Sequence, residues 1–113
     1  MTTMLKFTPC IEMMFRSLPF SERFAAVRAA GFDCAEFWGY TDKDLDATAA
    51  AAKENNIIIT SFCVGSEDAE LAALYREKAL LHPESAAIFV RVVEASIPVA
   101  KRLGVPSLIV TTG

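Results

Sequence analysis

The run Ile57-Ile58-Ile59-Thr60-Ser61-Phe62-Cys63-Val64 constrains this chain more than any other stretch. Asn55-Asn56 stands directly before it and Gly65 directly after. A β-branched run of this kind suits a parallel strand covered on both faces. The rest of the chain has to supply that cover.

It does so in a regular order. Leu5 to Ile11 reads as a first strand, bulged or irregular at Pro9, which lacks the N–H a ladder needs. Glu12 to Ser17 is a loop. Pro19 or its neighbour opens a first helix, with Phe20, Phe24 and Val27 on one face and Gly31 as its stop. Cys34 to Trp38 is the second strand. Thr41-Asp42-Lys43-Asp44 approximates a capping box, leading into a helix with Leu45, Thr48, Ala49 and Ala52 on a narrow stripe. Ile57 to Val64 is the third strand. Ser66 to Leu81 reads as a loop holding a short helix with Leu71, Leu74, Tyr75 and Lys78. A long helix from Pro83 to Leu103 buries Phe89, Val92, Val93, Val99, Ala100 and Leu103 and turns Pro98 to solvent, and Gly104 ends it. Ser107 to Thr111 is the fourth strand. The order βαβαβαβ with short connections implies parallel strands and right-handed crossovers.

Alternation then sorts each strand into two faces. Phe7, Pro9 and Ile11 oppose Thr8, Cys10 and Glu12. Ala35 and Phe37 oppose Cys34, Glu36 and Trp38. Thr60, Phe62 and Val64 oppose Ile59, Ser61 and Cys63. Leu108, Val110 and Thr112 oppose Ser107, Ile109 and Thr111. One set is mostly apolar, fit for helices, and the other turns polar toward the strand's C-terminal end. A barrel mouth needs that pattern. A doubly wound sheet has helices on both faces and no natural place for an inner Glu-x-Trp. A receiver or flavodoxin-type domain is disfavoured too: no acidic pair ends the first strand, and no Gly/Ser/Thr-rich loop follows it. The expected fold is α/β, the N-terminal half of a TIM (β/α)8 barrel, as one partial domain over 1–113.

Composition narrows the partners. Net charge is −3, which offers no footprint for nucleic acid or an anionic membrane. The 53% hydrophobic content argues against disorder and hints at apolar surface meant for something outside the chain. Cys10, Cys34 and Cys63 are odd in number and widely spaced, so buried reduced thiols in the cytoplasm are expected. Neither a signal peptide nor a bilayer-spanning run is apparent.

Three segments carry a resemblance: Cys10-Ile11-Glu12-Met13-Met14-Phe15, Pro19-Phe20-Ser21-Glu22-Arg23, and Ala30-Gly31-Phe32-Asp33-Cys34-Ala35-Glu36-Phe37-Trp38-Gly39. They look like the opening of the hydroxypyruvate isomerase group, among the xylose isomerase-like TIM barrels with the sugar phosphate isomerases and epimerases. Pro98 to Val105 followed by a strand is similar to that family's third helix and fourth strand. The resemblance implies an isomerase or epimerase that moves a proton between adjacent carbons. A divalent metal, Mn or Mg, stabilises the enediolate while a carboxylate carries the proton. It also implies that the metal ligands and catalytic glutamates lie on later strands, so no residue here inherits a catalytic or metal role.

What carries over is the first-half wall of a pocket for a small carbohydrate or hydroxy-keto acid: Glu12, Glu36, Trp38, Cys63 and Thr111, each at a strand's C-terminal end. Trp38 either packs on the carbon side of the ligand or plugs the rim. Glu36 either orients a ligand hydroxyl or makes a buried structural hydrogen bond. Cys63 reads as a small wall residue rather than a nucleophile, with no His nearby in sequence. His82 reads as capping or exposed, and Glu67-Asp68-Ala69-Glu70 as a solvated first helical turn. The competing reading is a non-catalytic half-barrel that associates with itself or with a complementary half. On either reading the chain alone is expected to be inactive and to self-associate.

Overall fold

Three helices end in the same left-handed turn, and each turn feeds a strand. In the computed structural model, which describes residues 5–112, Gly31 (φ 95°), Asn56 (φ 51°) and Gly104 (φ 67°) follow the helix ends. The next amide reaches back each time: Phe32 to the Val27 carbonyl (3.1 Å), Ile57 to Ala52 (2.9 Å) and Val105 to Ala100 (2.8 Å). This closure satisfies orphan helix carbonyls and sets the exit direction.

The elements are a 3-10 turn Phe20–Glu22, α1 Arg23–Ala29, β1 Cys34–Glu36, α2 Leu45–Glu54, β2 Ile58–Cys63, α3 Ala69–Lys78, α4 Ser85–Leu103 and β3 Ser107–Ile109. The sheet is parallel, in the order β1-β2-β3. The expected first strand is reduced to one parallel bridge, Cys10 to Glu36. Its bonds are Ile11 N to Glu36 O (2.9 Å) and Glu36 N to Pro9 O (3.0 Å). Pro9 can accept but not donate, so the ladder stops there, as the sequence predicts. The second and fourth strands are also shorter than expected, although Cys63 N still reaches Trp38 O at 2.8 Å beyond β1.

One expectation of alternation fails inside β2. Ala35 pairs with Ile59, but Glu36 pairs with Ser61, so Thr60 is an extra residue. The bulge swaps the faces. Ile59 (2% exposed) joins Ile57 and Phe62 in the helix-facing core instead of sharing a face with Ser61 and Cys63. Thr60 turns the other way, its Oγ1 2.8 Å from Thr8 Oγ1.

The helix caps differ slightly from the sequence reading. Asp44, not Thr41, caps α2, its carboxylate accepting from Ala47 N at 3.0 Å. Lys43 is drawn inward instead, as described below. Asp68 caps α3 through Leu71 N (3.0 Å), so the acidic run there is a helix start, as expected. His82 is exposed.

An aromatic chain forms the main core. Phe20 meets Phe24 and Phe37 edge-on, Phe37 stacks on Phe62 at 5.5 Å, and Tyr40 closes on Phe62 at 5.5 Å. A smaller cluster of Val64, Leu71 and Val92 lies under α3 and α4.

Candidate functional site

The concave face gathers its polar residues at the C-terminal ends of the strands. Ser61 Oγ donates to Glu36 Oε2 at 2.9 Å across β1 and β2, between the two residues that the bulge sets in register. Glu12 is fully engaged by protein: Oε2 accepts from the Trp38 amide (2.8 Å) and Oε1 pairs with Lys43 Nζ (2.9 Å). The Trp38 ring is 50% exposed at the rim.

Lys43 carries no chemical motif in the sequence, yet it fastens this rim. Its side chain is 5% exposed, and it also pairs with Asp42 at 2.9 Å. The ammonium sits 4.9 Å from the Phe20 ring centroid and 5.6 Å from that of Phe37. Aromatic faces and two carboxylates together replace the water it loses. Arg23 ties the same loop down from below, donating to Ile11 O (2.7 Å) and Leu18 O (3.0 Å).

Beside this rim lies a cavity of about 420 Å3 between the ends of the strands and α3. Cys63 and Thr111 line it, with Tyr40, Gly65, Tyr75 and Arg76. Glu12, Glu36 and Trp38 stand outside its lining. The structure thus splits the five expected site residues into a rim cluster and a cavity pair. Burial pushes the Cys63 thiol up, and Glu36, Cys10 and Glu12 add to the effect. The protonated thiol is the less reactive form. Cys10 and Cys63 are only partly buried, unlike Cys34, and all three thiols are free.

Ser96 is a second residue the sequence reading passed over. It is fully buried in α4 and accepts from Gly65 N at 3.0 Å, with Gly65 O 3.0 Å and Val92 O 2.8 Å from its hydroxyl. Tyr40 Oη donates to the same Gly65 carbonyl at 2.8 Å. The cavity floor is therefore clamped from two sides. The available signal was its spacing, four residues from both Val92 and Ala100 on the buried stripe.

The side chains present do not fit a metal centre. Glu12 has both oxygens in use, Glu36 is tied to Ser61, and among the described residues no three His, Cys, Asp or Glu gather to hold an ion.

No protein-family model matches this chain, and no curated protein does. A solved structure does: the AP endonuclease, family 2, from Brucella melitensis, at TM-score 0.79 and 25% identity, over 97% of this chain and 42% of that one. The fold is that of a xylose isomerase-like TIM barrel. This chain has the architecture of the N-terminal half of such a barrel, and it spans less than half the length of that relative. Among the described residues no helix is long and apolar enough to cross a membrane.

Proposed function

We propose that this half-barrel supplies the first wall of a small-molecule site in an isomerase or epimerase of the hydroxypyruvate isomerase kind, acting in the cytoplasm. The substrate is a small carbohydrate or hydroxy-keto acid. The observation that carries the reading is the cavity at the strands' C-terminal ends, which Cys63 and Thr111 both line, with the Glu36 and Trp38 rim outside the lining. Enzymes of this fold do their chemistry at that end of the barrel. Arg76 lines the cavity and has no ion-pair partner among the described residues, which suits a carboxylate or phosphate on the ligand. Proton transfer and the divalent metal, Mn or Mg, belong in this proposal to strands beyond these residues.

The named relative is an endonuclease, which raises nucleic acid as a ligand. The net charge of −3 and the carboxylates at the rim favour the small molecule. Titrating the chain with hydroxypyruvate, a ketose and an oligonucleotide, while following the fluorescence of Trp38, its only tryptophan, tests the choice. A saturable change with hydroxypyruvate or the ketose is expected. A response to the oligonucleotide alone would overturn the reading. With manganese or magnesium the isolated chain should not isomerise hydroxypyruvate, and turnover would refute the half-wall assignment.

A half-barrel that pairs with itself or with a complementary half is the second reading, favoured by exposed surface. Leu5 and Phe7 are exposed at one sheet edge, and Val90 and Val110 at the other, beside a cleft of about 290 Å3. Light scattering that finds only monomer would count against this reading.

A further inference from the structure

The wall of the mouth cavity formed by α3 holds two features that the fold leaves unexplained. Tyr75 Oη is closed off from solvent and has no hydrogen-bond partner among the described residues. Its ring stacks on Phe89 at 6.4 Å, so the side chain is positioned rather than loose. Burial pushes its phenol up, and Cys63 adds to this; Thr111 stands close enough to pull the other way without completing a hydrogen bond. A buried hydroxyl in that state forfeits free energy that a partner would return. Four residues on, Ala79 ends α3 at φ 46°, ψ −134°, a conformation poor for any residue with a Cβ. Both residues line the same cavity.

The two features fit one explanation. A helix that carries an unpartnered hydroxyl and ends in strained backbone has something to gain by moving, and the cavity gives it somewhere to move. We propose that α3 is the gripping wall of the mouth cavity: turning at Ala79, it brings Tyr75 Oη onto a hydroxyl oxygen of a small hydroxy-keto or polyhydroxylated ligand. The proposal rests on the small-molecule reading above and adds the residue that selects for a ligand hydroxyl.

The test uses the 113-residue chain, wild type and Tyr75→Phe, with hydroxypyruvate and its deoxy counterpart pyruvate followed by NMR titration. Melting temperatures are measured without ligand. Tyr75→Phe should melt no lower than wild type, because it removes a hydroxyl that bonds to nothing among the described residues. It should bind hydroxypyruvate about 3- to 10-fold more weakly, the loss of one neutral hydrogen bond. Its affinity for pyruvate should change less than about 2-fold, since the oxygen it would contact is absent there. Ala79→Gly should raise the melting temperature by relieving the backbone and weaken hydroxypyruvate severalfold by removing the impulse to turn. A lower melting temperature for Tyr75→Phe would show that the hydroxyl already has a protein partner and overturn the proposal. Equal hydroxypyruvate affinity in Tyr75→Phe and wild type would overturn it while leaving the small-molecule reading intact. Wild type that binds neither compound would overturn both.

Discussion

The two ends of this sheet are built to different standards. Around β1, α1 and α2 the core is a continuous aromatic stack, and the ionic groups of the rim above it are paired. Glu12, Lys43, Trp38 N, Arg23, Ile11 O and Leu18 O answer one another. Around α3, α4 and β3 the buried core is three aliphatic side chains with partly buried neighbours, a phenol lacks a partner among the described residues, a backbone angle is strained, and an apolar cleft lies open. The first region has the features of a scaffold. The second keeps polar and apolar surface unused, as a surface that must still meet a ligand or more polypeptide would.

Truncations of matched type can break that contrast. Phe62→Ala opens the middle of the aromatic stack, where the side chain is fully buried, and should cost about 3–5 kcal/mol in urea unfolding. A cost under about 1 kcal/mol would show that the stack is not the scaffold. Lys43→Met leaves the partly buried Glu12 without its cation, and a loss near the lower end of about 3–5 kcal/mol is expected. Adding Glu12→Gln should return part of that loss, because the stranded charge is then gone; a double variant worse than the sum of the singles would deny the pairing.

Smaller effects sharpen the other side. Ser96→Ala strips Gly65 N of its acceptor and should cost about 1–3 kcal/mol. Val90→Ala, at a position 52% exposed, should stay within about 0.5 kcal/mol for the monomer while weakening any self-association seen by light scattering. The Cys63 thiol supplies a pH test. Its pKa is raised above the ordinary 9.0 by burial, so its contribution to stability is intact below that value and fades as pH rises above it. Alkylation of Cys63 by iodoacetamide should therefore be slower at pH 8.5 than that of a free thiol, and equal rates would contradict the assignment.

Much of the fold was legible because it is written in local chemistry. Gly31 and Gly104 mark helix ends since few other residues take positive φ, and Pro9 announces a broken first strand since it has no donor. The candidate site was less so. Glu36 and Cys63 were found by strand position, but a strict two-residue alternation misplaced Ile59 and Thr60. The adjacent polar pair Thr60-Ser61 inside an apolar run was the available sign of a bulge: both can face inward only if one residue is extra.

From its own residues the chain declares parallel strands, helix stops and a polar inner rim, because those follow from backbone preferences and from periodicity within one segment. Only the tertiary structure decides that Lys43 turns inward, that Ser96 holds Gly65, and that Tyr75 is left without a partner among the described residues. Each depends on what a distant segment places within about 3 Å, the reach of a hydrogen bond, and no pattern along one stretch of chain encodes that distance.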